Sequence, residues 1–204
     1  PEFFTKYDPD DGPAVADCSP CSGRSRTRSA PLPRSTSTIP AIRPGRYNVG
    51  GVLVSVYFLA VLNNGLGNYA RAQSAAGRAC DTDELGLPSV GLPEFIEAAV
   101  RAGHPADAAS ALEQFSARAL ACNTPWALGL AARSRALTSA GAIAEENYRD
   151  AIEQLGRSRM SGEAARAHLV YGEWLRREGR RQDAREELRT AHGLLSGMGA
   201  EAFA

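Results

Sequence analysis

A chain of 204 residues is long enough for one well-formed core, or for a repeat array with a tail. Hydrophobic residues make up 44% and charged residues 23%, both ordinary for a globular protein. The formal net charge is zero, which excludes an overall electrostatic case for gripping phosphate backbones.

The bases are unevenly chosen: Lys6 is the only lysine and every other cation is arginine. Arginine for lysine beside abundant alanine is what a GC-rich coding sequence produces. The chain begins at Pro1 instead of methionine, so a fragment or a processed product is expected. Cys18, Cys21, Cys80 and Cys122 fall in no disulfide-framework spacing, and no cleavable signal peptide is recognisable. A cytoplasmic location is therefore expected.

Residues 1–51 differ from the rest. The stretch from Cys18 to Arg46 carries six arginines and no acid, crowded with Ser, Thr and Pro and without an apolar period. Such a segment buries too little apolar surface to offset its ordering entropy, so a low-order segment is expected. One reading makes it a basic arm, although no aromatics interleave the arginines to stack on bases. A second reading takes it as out of frame relative to the helical sequence that follows. Cys18 and Cys21 have the CxxC form, but neither a βαβ setting nor a second metal-ligand pair accompanies them. Chance spacing is the expectation.

Residues 52–204 are expected to be helical. The apolar run from Val52 to Leu62 is about half the length needed to span a bilayer and ends in Asn63 and Asn64, so a buried helix is expected and no membrane. Gly67, Gly103, Gly141 and Gly179 then recur at intervals of roughly 36 to 38 residues. Each is read as closing one helix, with another following within a few residues, since a left-handed C-cap costs glycine no Cβ clash. Alanine stands five positions later in three turns, at Ala72, Ala108 and Ala184; the fourth has Glu146. Residues from Asp81 to Gly91, with Gly86 and Pro88, are expected to form the longest loop of the array. Pro105 after His104 and Pro125 after Thr124 are expected in first helical turns.

Apolar spacing agrees. Ala164, Ala167, Tyr171, Trp174 and Leu175 mark one face of a helix from about 163 to 178, and Ala184, Leu188, Ala191 and Leu195 one face of its partner from about 182 to 196. No alternating run is long enough for a sheet. The fold expected is all-α: antiparallel helical-hairpin repeats of a tetratricopeptide-like solenoid. Residues from Gly199 to Ala204 look like the first turn of a further helix, so truncation at the C-terminal end is expected.

Chemical motifs are sparse. Gly65 and Gly67 are half a dinucleotide fingerprint, yet they follow a helix and fit a hairpin turn. The phosphate-cradling pattern is absent, and Lys6 has no glycine-rich neighbourhood. His104, His168 and His192 are scattered, without metal-ligand spacing, and no serine lies in a nucleophile elbow. Asp81, Asp83 and Glu84 read as a solvated loop, since the other calcium-loop positions fail. Arg176, Arg177, Arg180 and Arg181 are expected to complement a helix C-terminus. No catalytic, cofactor or metal residue is assignable, and no enzyme is expected.

The run from Tyr171 to His192 (YGEWLRREGRRQDAREELRTAH) resembles the helical region of the large ATP-binding LuxR-family transcriptional regulators of actinobacteria. Ala60 to Ala70, Leu92 to Gly103, Trp126 to Leu137 and Tyr148 to Arg157 are similar to earlier helices of that region, and the similarity covers 52–204. The resemblance implies a helical middle between a nucleotide-binding module and a C-terminal helix-turn-helix. ATP and DNA would be bound only by those other domains, and no contacting residue carries over. Expected partners are the regulator's other domains and a protein or small-molecule effector. The alternative is a freestanding protein–protein interaction adaptor.

Overall fold

Three of the four turn glycines end a helix in the same way. Gly67, Gly103 and Gly179 have φ of +76°, +83° and +79°. In each turn the next residue donates its N–H back across the glycine: Asn68 to Asn63 O (2.8 Å), His104 to Ala99 O (2.8 Å) and Arg180 to Leu175 O (3.0 Å). Satisfying the last carbonyls in this way requires a left-handed residue, which glycine supplies without strain.

The computed structural model describes residues 48–80 and 87–200, with side chains from 54 to 80 and 89 to 200. Expectations placed on 1–47 (Lys6, the Cys18 and Cys21 pair, the arginine-rich stretch), on Asp81, Asp83 and Glu84, and on 201–204 lie outside the described residues. Eight helices and no strand occur among those described: α1 (Asn48–Gly65), α2 (Tyr69–Cys80), α3 (Leu87–Ala102), α4 (Pro105–Cys122), α5 (Pro125–Thr138), α6 (Gly141–Arg157), α7 (Ser161–Arg177) and α8 (Arg181–Gly197). They form four hairpins, α1/α2, α3/α4, α5/α6 and α7/α8, stacked in chain order. The expected all-α hairpin array is what folds. Its first helix starts at Asn48, ahead of Val52.

Two local expectations need correcting. Gly141 does not close α5; it is the first residue of α6, with φ of +58°, while Ser139 caps α5 in an extended conformation. The other turn glycines stand two residues ahead of the next helix, so Ala144, fully buried as the fourth residue of α6, takes the place that Ala72, Ala108 and Ala184 hold as the fourth residues of theirs, and Glu146 is exposed. The second correction concerns the loop expected up to Gly91. Helix α3 already begins at Leu87 and runs through Gly91 and Pro93. Pro88 sits in the first turn, where a missing N–H costs nothing. At Gly91 a Cβ would stand 3.2 Å from Cys80 Sγ and 3.4 Å from Ala79 Cβ, so the glycine lets α3 lie close on α2. Packing outweighs the local helix-breaking tendency.

Helix starts at Pro105 and Pro125 are as expected. Thr124 Oγ1 accepts from Ala127 N (3.2 Å), an N-cap bond, and Asn123 closes α4 at φ of +47°. In each hairpin after the first, the odd-numbered helix is the more buried partner. Helix α3 touches α1, α2, α4 and α5, and α5 buries eight residues, Arg133 and Ser134 among them. The even-numbered helices show one alanine-rich face inward and charge outward.

Two apolar clusters hold the layers together. Leu92, Ile96, Phe115, Leu130 and Leu155 anchor the one shared by α3 to α7. Tyr148, Val170, Tyr171, Trp174 and Leu175 anchor the other. There Tyr148 stacks on Tyr171 with ring centroids 5.2 Å apart, and Trp174 lies 5.8 Å and 6.0 Å from the two. Helices α7 and α8 come close at Gly172, where a Cβ would meet Leu188 Cγ at 2.8 Å. Trp174 is 7% exposed, so Trp174→Ala should cost roughly 3–5 kcal/mol in urea unfolding. A loss below about 1 kcal/mol would mean that the ring contributes no core packing.

Candidate functional site

The inner layer is not a purely apolar seam. Helix α3 carries Glu94, Glu97 and Arg101 at helical spacing, and α7 carries Glu163, Arg166 and Glu173. Between them α5 contributes Arg133, and α1 contributes Asn64. Four of these side chains are almost wholly removed from solvent: Glu94 and Glu97 (2% each), Arg133 (1%) and Asn64 (4%). Buried charges persist only when paired, and here each has at least one partner.

Arg133 Nη1 donates to Glu163 Oε2 at 2.6 Å, and its Nη2 lies 3.6 Å from Glu94 Oε1 without a hydrogen bond. Arg166 holds Glu97 Oε2 through Nε (3.2 Å) and Nη2 (3.0 Å), and its Nη2 is 3.8 Å from Glu94 Oε2. Arg101 pairs with Glu173 and lies 3.3 Å from Glu97 Oε1, while its Nη1 donates to Tyr69 Oη at 3.2 Å. Asn64 Nδ2 donates to both Glu94 O (3.0 Å) and Glu94 Oε2 (2.9 Å). Side chains from α1, α3, α5 and α7 thus join in one network. The α3 and α7 members meet directly, past the intervening α5.

The two central carboxyls behave oppositely. Burial pushes Glu94 above the ordinary carboxylate range, and the proximity of Glu97 adds to this against the pull of Arg166 and Arg133. Burial acts on Glu97 too, but Arg166, Arg101 and Arg133 outweigh it and hold that carboxyl below its usual range. Tyr57 of α1 faces the same charges; burial, then Glu163 and Glu94, push its phenol up to about 12. Fully ionised, the network has four carboxylates and three guanidinium groups, and Glu94 is the carboxylate without a cation at hydrogen-bond distance.

A cavity of about 340 Å³ opens beside the network. Val61 of α1, Leu169 of α7, and Leu195 and Met198 at the end of α8 form its apolar walls; Glu94, Glu163 and Arg166 form its polar wall. It therefore brings residues of the first hairpin together with those of the last.

The residues singled out in the sequence are used elsewhere. His168 Nδ1 pairs with Glu187 Oε2 at 2.6 Å and His104 Nδ1 with Gln73 Oε1 at 2.7 Å, while His192 is exposed. Arg180 ties the α7–α8 turn to Glu145 of α6 (2.5 Å) and to Asp183 (2.5 Å); Arg176, Arg177 and Arg181 are exposed. Gly65 ends α1 and Gly67 makes the hairpin turn. Cys80 is half-buried and Cys122 exposed. Among the described residues no group of His, Cys, Asp or Glu could hold a metal ion, and no helix is long and apolar enough to cross a membrane. The network itself was missed. Its one sequence signal is that the narrow stripe of Glu94, Glu97 and Arg101 on α3 is flanked by Leu92, Phe95, Ile96, Ala98 and Ala99 on the other faces, the pattern of a helix covered all round.

Comparison with protein-family models, with curated proteins and with solved structures finds no match for the chain.

Two substitutions separate the roles of the charges. Arg133→Met strands Glu94 and Glu163 and should cost about 3–5 kcal/mol in urea unfolding. Glu94→Gln removes the carboxylate in excess and leaves Arg133 with Glu163 and Arg166 with Glu97. The folded Glu94 carboxyl lies above its unfolded value of about 4.3, so its destabilising ionisation is absent below that pH and complete above the folded value. Glu94→Gln should accordingly gain on the wild type as pH rises from about 4 to about 8. A stability difference that does not change over that range would contradict this assignment.

Proposed function

We propose that this chain is a helical-repeat segment of a LuxR-family transcriptional regulator, in which binding of an effector on the inner layer is coupled to nucleotide- and DNA-binding modules lying outside the chain. The observation that supports this reading is the convergence of α1, α3, α5 and α7 on one network of buried charges. A ligand that alters one member changes the balance for helices of all four hairpins, and allosteric coupling needs an element of this kind that two sites can both bias. The reading assigns no reaction to the chain and places it in the cytoplasm, where a DNA-binding regulator acts.

A second reading, a freestanding adaptor for protein segments, draws support from α1. That helix carries no charged residue, and Val54, Phe58, Leu59 and Leu62 are exposed along it, with Leu66 just beyond its end. Contiguous exposed apolar side chains mark surfaces that meet other proteins.

The coding sequence downstream of Ala204 separates the two. An in-frame helix-turn-helix soon after Ala204 is the expected result; a stop codon there would sink the regulator reading in favour of the adaptor. Given the full regulator, Arg133→Met in a promoter-reporter assay should abolish the effector response and leave operator binding by the separate DNA module within about twofold.

A further inference from the structure

The cavity between the first and last hairpins has features that the fold itself does not use. Its volume, about 340 Å³, is at the small end of the range for ligand pockets. Its walls are mostly apolar, yet its polar side presents carboxylates whose charge is incompletely answered. The cations nearest Glu94 stand at 3.6 Å and 3.8 Å, beyond hydrogen-bond reach. One Glu163 oxygen is taken by Arg133, and the Glu163 side chain keeps 19% of its surface open. Asn64 spends both donor bonds on Glu94, and the Oδ1 of the same amide is buried without a hydrogen-bond partner. The cavity wall holds two carboxylates, Glu94 and Glu163, against one guanidinium, Arg166, which is already bonded to Glu97.

We propose that this cavity binds a small amphipathic amine, its protonated nitrogen paired with Glu94 and Glu163 and its apolar body against Val61, Leu169 and Leu195. The assignment rests on the effector reading above and gives that effector a chemical class. An ammonium supplies the charge that balances four carboxylates against three guanidinium groups. It also supplies up to three donors, enough for both glutamates and for a neighbouring acceptor. A carboxylate ligand would add a fifth negative charge, and the one cation on the cavity wall, Arg166, is already held twice by Glu97. A neutral apolar ligand would bring no charge to Glu94, which is already buried, and would cover the part of Glu163 that remains open.

The probes are n-octylamine, octanoate and 1-octanol, titrated calorimetrically into the full chain near pH 7, where the amine is protonated. Octylamine should bind saturably with one site per chain, and octanoate and octanol about tenfold or more weaker. Glu94→Gln should weaken octylamine about tenfold or more while its thermal midpoint stays at or above that of the wild type. Gly162→Leu is the second variant. Gly162 lines the cavity, and a Cβ there meets no atom within 4 Å, so a larger side chain can be introduced at the cavity wall without a clash at its Cβ and without replacing a charged residue. It should weaken octylamine as well.

Octanoate or octanol binding as tightly as octylamine would overturn the ligand class, and no binding by any probe would overturn the site. Octylamine binding that survives both variants would place it elsewhere and overturn the proposal too. None of these results bears on the coding sequence beyond Ala204, so the regulator reading stands or falls separately.

Discussion

A guanidinium with 1% of its surface exposed dictates the inner layer of this protein. Arg133 sits in an alanine-rich stretch of α5, where taking a charge out of water costs several kcal/mol unless carboxylates meet it. Glu163 supplies the close contact and Glu94 a looser one, and these commit α7 and α3 to fixed positions around α5. The placements of Arg166, Glu97 and Arg101 follow from that geometry. Such networks add little net stability over apolar packing, but they penalise any alternative packing that separates the partners. Alanine-lined helices slide past one another easily, and here the charges fix which helix faces which.

The array was legible in the sequence to the extent that local chemistry decided it. Glycine at a C-cap has one dominant physical reason, so Gly67, Gly103 and Gly179 announced their turns. Apolar spacing placed Tyr171, Trp174 and Leu175 in a core. Gly141 misled because a turn glycine can also open a helix, and its residue type alone does not show that α6 already begins there. The stretch from Leu87 to Gly91 misled because glycine and proline argue against helix locally, whereas the close contact with Ala79 and Cys80 is a property of the folded pair. The network was illegible for a third reason. A charged residue on a helix is normally solvated, and whether Glu94 or Glu97 is buried depends on which helices pack over it, which no single helix encodes.

Hairpin pairs at the two ends of the array differ in what they present outward. Helix α8 shows Arg181, Arg185, Glu186 and Arg189 to solvent. Helix α1 shows Phe58, Leu59 and Leu62. The charged inner layer and the apolar outer stripe of α1 are therefore two separate features of the array.

Contacts that skip a hairpin also bear on how the molecule comes apart. In a plain repeat array each unit touches only its neighbours, so unfolding can begin at one end and travel. Arg101 and Glu173 are 72 residues apart in sequence, and Arg166 and Glu97 are 69 apart, yet both pairs are bonded. Peeling away the last hairpin breaks these ties and leaves Glu97 buried with less of its compensation, so the loss cannot stay local. Loss of the last hairpin therefore disturbs α3 as well, and unfolding shared by α3, α5 and α7 is the expected consequence.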